Sequence, residues 1–162
     1  MHLRDATRED LSAVVAIYNT TISSRMVTAD TEPVSVESRS SWFEQHHPSR
    51  RPLWVAEEGG QVIGWLSYSS FYGRPAYDRT CEVSIYLAPA QRGRGLGTEL
   101  LDRCIRHAPA LGVLTLLGFI FSHNTPSLRL FEKQGFSLWG NLPRVAVLDG
   151  VERDLSILGR RV

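Results

Sequence analysis

The sequence predicts a mixed α and β fold, and three observations carry that prediction. Apolar runs of strand length recur at Leu53 to Glu58, Gln61 to Phe71, Thr80 to Leu87 and Val113 to Phe121. Segments with one apolar face and helix start signals lie among them. Two turns, Gly59-Gly60 and Asp149-Gly150, read as hairpins. The order is neither a strict βαβ alternation nor an all-β pattern. A chain of 162 residues is expected to form one domain, 1–162, large enough to bury a proper core.

Met1 to Asp5 reads as a short strand. Thr7 with Asp10 resembles a helix start, and Leu11, Val14, Val15 and Tyr18 form one apolar face after it. Residues 23–34 lack periodicity and contain Pro33, which predicts a loop. Ser35 caps a second expected helix, roughly to His46, and Pro48 ends it. The Gly59-Gly60 hairpin follows, then a polar and aromatic loop over 72–79 and the strand from Thr80, stopped by Pro89. Leu96, Leu100, Leu101, Cys104, Ile105 and Ala108 fall on one side of a third helix, with Pro109 near its end. Val113 to Phe121 is nearly continuous in apolar residues, the pattern of a strand buried on both faces. Thr125-Pro126 opens a fourth helix with proline at its first position, and Gly135 fits its C-terminal cap. Phe136 to Gly140 and two strands around a type I′ turn at Asp149-Gly150 complete the chain. Trp42, Trp54, Trp65 and Trp139 read as core.

The composition is 43% hydrophobic and 22% charged with a net charge of +1, ordinary for a soluble globular protein. Such a balance recruits neither nucleic acid nor an anionic membrane, so any phosphate binding must be local. Cys81 and Cys104 form no disulfide framework; they read as small buried apolar residues, and a reducing, cytoplasmic setting is expected. No signal peptide is expected in residues 1–20, and no segment is long and apolar enough to span a bilayer.

Residues 91–98, Gln-Arg-Gly-Arg-Gly-Leu-Gly-Thr, carry the strongest chemical signal. Three glycines and two arginines sit between an apolar strand and an apolar helix. Glycine lets backbone N–H groups approach a ligand closely. The helix start adds unpaired N–H donors and the positive end of its dipole. Arg92 and Arg94 add forked donors suited to phosphate oxygens. The phosphate loop of nucleotide triphosphatases would need a lysine after its last glycine, and Leu96-Gly97-Thr98-Glu99 has none. The dinucleotide fingerprint counted from Gly93 would need a glycine at Thr98. Taken alone the run also fits a solvated surface turn; its place between strand and helix favours a pyrophosphate site.

Arg92, Gly95 and Gly97, spaced R-x-x-G-x-G, resemble motif A of the GNAT superfamily of N-acetyltransferases, which holds the pyrophosphate of acetyl-CoA. Residues 124–136, from Asn124 through Ser127 and Leu130 to Gly135-Phe136, resemble that family's later segment N-x-x-S-x-x-L-x-x-x-x-G-F. Within the superfamily the chain is similar to phosphinothricin and methionine sulfoximine acetyltransferases. Arg4-Asp5-Ala6-Thr7 with Ile17-Tyr18-Asn19, Thr31-Glu32-Pro33, and the stretch Arg74 to Glu82 carry that likeness, which runs essentially end to end. The resemblance implies a GNAT fold: a mostly antiparallel, twisted central sheet, splayed near the cofactor and flanked by helices. It implies acetyl-CoA as co-substrate, no metal, a small amino-acid-like acceptor and a homodimer. It also implies cofactor contacts from Ile85, Tyr86, Leu87, Arg92, Gly93, Arg94, Gly95, Leu96, Gly97, Thr98, Asn124, Ser127 and Phe131.

Acetyl transfer to an amine requires loss of an ammonium proton, polarisation of the thioester carbonyl and protonation of the departing thiolate. Glu82 lies inside the apolar run Cys81 to Tyr86, where a carboxylate is costly unless paired or functional. By the resemblance it coincides with the family's general base, which usually works through water. Backbone N–H groups near Ile85, Tyr86 and Leu87 are expected at the thioester. Where many relatives carry a tyrosine or histidine as proton donor, this chain has Phe131, so the thiolate leaves unaided, takes a proton from water, or is served by another residue, with Tyr86 and His123 as candidates. Arg74 is expected to clamp a substrate carboxylate, with Tyr77 packing or donating beside it; a solvated arginine and half-buried tyrosine fit the same loop. Relatives often have an aromatic-basic pair before Thr-Glu-Pro, whereas this chain has Ala29-Asp30, which points to a different side-chain preference. A peptide N-acetyltransferase and a non-catalytic acyl-CoA sensor are the competing readings.

Overall fold

A computed structural model describes all residues, 1–162. Seven strands form one sheet: β1 His2–Asp5, β2 Leu53–Glu58, β3 Gln61–Ser70, β4 Thr80–Leu87, β5 Thr115–Phe121, β6 Ser137–Leu148 and β7 Val151–Arg161. Their order across the sheet is β1-β2-β3-β4-β5-β7-β6. Every neighbouring pair is antiparallel except β4 and β5. The helices are α1 Leu11–Ile22, α2 Ser40–Glu44, α3 Leu96–His107 and α4 Thr125–Lys133. Mixed α and β with a mostly antiparallel sheet is the fold the sequence predicts.

Side-chain alternation divides the sheet into two apolar layers. On one face Val83 and Leu116 pack with Leu100, Leu101 and Cys104 of α3 and Phe131 of α4. On the other, Val14 and Ile17 of α1 pack on Val55 and Trp65, with Trp42 of α2 alongside. Each fully buried leucine contributes about 1.5–3 kcal/mol by leaving water. Cys81 and Cys104 are free and buried in the first layer.

Three local expectations change. Ser35 does receive the Ser38 N–H, but the segment then makes a tight turn over Glu37–Arg39 and only a five-residue α2. Ser35, Ser38, Ser40 and Ser41 explain the shortening, because serine hydroxyls compete for helical backbone groups. Phe136 to Gly140 is not separate from the next strand. One edge strand, β6, runs through Pro143 by shifting register between Leu138 and Gly140 and between Leu142 and Ala146, as bulged edge strands tolerate. Trp139 is not core: it is 50% exposed on β6, lying over Gly159, where a side chain would collide with its ring. The turn at Asp149 and Gly150 has φ of 50° and 76°, the paired positive values a type I′ hairpin needs.

The parallel pairing of β4 with β5 stops early. It covers Thr80, Cys81 and Glu82 against Thr115, Leu116 and Leu117, although both strands continue. Beyond Glu82 the strands part, and a wedge opens between them.

Candidate active site

The floor of a half-open cavity of about 240 Å³ forms on the α1 side of the sheet, across β3 and β4. The register pairs Trp65 with Tyr86, Ser67 with Ser84 and Ser69 with Glu82. All six therefore share one face, and all six line the cavity. Three hydroxyls and one carboxylate make a polar floor between aromatic walls. Burial pushes the Glu82 carboxyl above its usual value, and no neighbouring positive charge opposes this. A carboxylate raised by burial alone is poised to accept a proton.

The walls explain two tryptophans differently from the sequence reading. Trp65 is buried as expected, and its indole donates to the Val14 carbonyl at 3.0 Å. Its ring also stacks on Tyr86 at 4.4 Å and 21°, so it is cavity wall as well as core. Trp42 meets Trp65 edge-on at 5.5 Å and lines the cavity too. Tyr18 and Arg39 complete the rim; neither Trp42, Trp65 nor Arg39 stood among the expected site residues.

A groove of about 450 Å³ lies in the wedge, reached from the α1 side by Thr21 and Ser24. The end of β4, the glycine turn, the start of α4 and Met26 and Val27 of the 23–34 loop line it. Ala88 donates its N–H to Ile63 on β3 at 2.9 Å. Strict alternation then turns the N–H of Tyr86 toward β3 and those of Ile85 and Leu87 toward the open wedge. Tyr86 contributes its side chain instead, and it lines both groove and cavity. Burial holds its phenol above the ordinary range, with Tyr18 and Glu82 acting the same way, so it stays a hydroxyl donor.

In the glycine turn, Gly93 and Gly95 have φ of 74° and 82°. Gly95 sits at the start of α3 in the left-handed region, which side chains disfavour. Arg92, Gly93, Gly95, Gly97 and Thr98 line the groove. Arg94 turns away to Glu58 at 3.7 Å, and the Leu96 side chain is buried in the core. A Cβ at Gly97 would come 3.2 Å from Leu130, so this glycine lets α3 and α4 approach. Asn124 is 5% exposed, lines the groove and accepts the Ser127 N–H at 3.3 Å, capping α4. Phe131 lines the groove and presses its ring on Gly118, where a Cβ would lie 2.6 Å from it. The backbone donors, helix N-terminus and Cβ-free turn fit the pyrophosphate and thioester of acetyl-CoA.

Besides Arg94 and Leu96, three expected residues stand apart. Arg74 and Tyr77 are exposed on the 72–79 loop and do not line the cavity. Arg51 fixes that loop by donating to the Asp78 carbonyl at 2.8 Å, and Tyr77 packs on Phe71 instead. His123 contacts the Arg25 carbonyl through Nε2 at 2.8 Å and lines neither space. The missed wall residues had one usable signal. Positions 65, 67 and 69 alternate on the strand preceding 82, 84 and 86, but pairing them needs the register across an eight-residue loop.

Comparison with known proteins agrees with this geometry. The sequence profile of the acetyltransferase (GNAT) family matches residues 14–136. The Bacillus subtilis protein YwnH, described as a candidate phosphinothricin acetyltransferase, is 58% identical over 100% of this chain and 99% of its own length. An L-methionine sulfoximine/L-methionine sulfone acetyltransferase from Pseudomonas aeruginosa is 32% identical over 96% of this chain and 91% of its own. The crystal structure of a GNAT superfamily phosphinothricin acetyltransferase from Sinorhizobium meliloti in complex with AcCoA superposes with a TM-score of 0.93 at 31% identity, covering 99% of this chain and 88% of that one. With the splayed sheet, the glycine turn and the match over three quarters of its length, the chain belongs to the GNAT family of acetyltransferases.

Proposed function

We propose that residues 1–162 form one domain that transfers the acetyl group of acetyl-CoA to the α-amine of a small amino-acid-like acceptor. Phosphinothricin, methionine sulfoximine, methionine sulfone and related amino acids are the acceptor class. The observation that carries this reading is Glu82, a carboxylate raised by burial on the floor of a cavity that shares Tyr86 with the groove.

When bound, acetyl-CoA supplies an activated acetyl thioester. The N–H groups of Ile85 and Leu87 polarise its carbonyl from the open edge of β4. Glu82 takes the ammonium proton, directly or through water held by Ser67, Ser69 and Ser84, and frees the amine lone pair. Tyr86, the one residue that lines both spaces, would supply a proton to the departing sulfur. Phe131 excludes water there. A cavity of only about 240 Å³ suits a free amino acid better than a peptide.

Purified protein mixed with acetyl-CoA and a panel of amino acids plus those three compounds should release free thiol with at least one. Silence across the whole panel would sink the reading.

The same proposal includes a cytoplasmic homodimer. Leu138, Trp139, Val145 and Val147 are 63, 50, 56 and 60% exposed along edge strand β6, an apolar strip of the kind that pairs subunits. Light scattering should give twice the 18.2 kDa chain mass; a monomer at working concentration would refute it.

A further inference from the structure

Two charged side chains line the acceptor cavity: Glu82 on the floor and Arg39 on the wall. Arg39 is held on two sides. Its guanidinium lies 4.9 Å above the Tyr18 ring, and Nη2 donates to Asp30 Oδ2 at 2.8 Å. Asp30 in turn accepts the Tyr18 hydroxyl, so arginine, phenol and carboxylate brace one another. The side chain is 29% exposed. Its Nε and Nη1 donors have no partner within the chain. A guanidinium fixed by stacking and one ion pair has already lost much of its rotamer freedom, so little more is lost on binding an anion.

The geometry points to Arg39 as the anchor for the carboxylate of the acceptor, with Asp30 as the residue that positions it. This rests on the proposed acetyl transfer to an amino acid and names how that site selects its substrate. An amino acid carries an anion and an ammonium one carbon apart. The cavity offers one fixed cation and one proton-accepting carboxylate, the complementary pair. Arg39 binds the carboxylate by charge-assisted hydrogen bonds and presents the ammonium to Glu82. Amines without a carboxylate, amino-acid amides and peptide N-termini lack the anion and leave the guanidinium unpaired, so they are rejected. Ala29-Asp30 then has a concrete role: the acid sets the pose of the arginine.

The test compares an amino acid that the wild-type enzyme acetylates with its carboxamide, identical but for the missing charge. Arg39→Gln should lower kcat/KM for the free acid about 10–100-fold, mainly through KM, the loss expected for one charge-assisted pair. The carboxamide rate should change less than about threefold and the KM for acetyl-CoA should stay put, since neither uses the arginine. An equal loss on acid and carboxamide would overturn the inference and make Arg39 a packing residue. Should the glutamine variant not fold, Arg39→Lys carries the same comparison. A point charge replaces the fork, and the preference for acid over carboxamide should drop about tenfold. A preference within about twofold of wild type in that variant overturns it too. Wild-type enzyme that acetylates no amino acid would bring down the functional reading itself, an outcome separate from both.

Discussion

The groove takes five of its lining residues, three of them glycines, from one run, residues 91–98. The cavity on the other side of Tyr86 draws its lining from α1, α2, β3 and β4 with Val34 and Arg39, and no glycine is among them. The difference teaches how, on the proposed function, one half of the site would hold a constant ligand and the other a variable one. A backbone cradle is insensitive to most substitutions and suits a cofactor shared across a family. A wall of side chains from four elements changes with every substitution and suits an acceptor that differs between relatives.

Glu82→Gln breaks the symmetry of the two regions most sharply. It should lower kcat/KM about 10²–10⁴-fold, the usual weight of a general base. Acetyl-CoA affinity, read by calorimetry, should stay within about twofold because the groove keeps its donors. A parallel loss of cofactor binding would show that the two regions are not separable. Gly95→Val comes next and acts on the other side. A β-branched residue at φ 82° carries strain of about 1–3 kcal/mol. The expected result is a rise of about tenfold or more in the KM for acetyl-CoA with the acceptor KM unmoved; an unchanged cofactor KM would show that the turn's conformation is not what the ligand reads.

The smallest effect is on stability. Burial raises the Glu82 carboxyl above its usual 4.5 in the folded chain, so folding favours the protonated acid. That contribution is full below the unfolded value and is lost as pH rises through the folded one. Glu82→Gln removes the loss. Its denaturation midpoint should exceed wild type at neutral pH and match it near pH 4, and identical pH profiles would mean that the carboxylate is not desolvated. The acid limb of the wild-type kcat/KM profile should likewise lie above an ordinary glutamate.

Local patterns in the sequence carried the fold well. Gly59-Gly60, Asp149-Gly150 and Pro126 placed turns and a helix start where they occur, because each meets a backbone requirement within a few residues. The break expected after Gly140 does not occur: β6 runs on through Pro143, which an edge strand accommodates, and edge position is a property of the whole sheet. The glycine turn and Asn124 were legible as motifs of contiguous backbone. Arg39, Trp42 and Trp65 were not. Their common address is set by cross-strand register and by the packing of the Glu37–Arg39 turn and α2 over β3, of which only the alternation at 65, 67 and 69 leaves a local trace. Arg74 showed the converse. It is near Glu82 in sequence, yet Arg51 holds its loop away from the cavity.

The short run of pairing between β4 and β5 has a mechanical consequence. Three residue pairs weld two plates, β1 through β4 and β5 through β7. The weld lies at one end, so its angle sets the clearance at the other, where the two chambers meet. Helices α3 and α4 brace the back of the joint, and Gly97 is the shim between them, with Leu130 seated where a methyl would press at 3.2 Å. The missing side chain in the glycine run is therefore a spacer as much as a cradle: it gauges how far apart the plates stand.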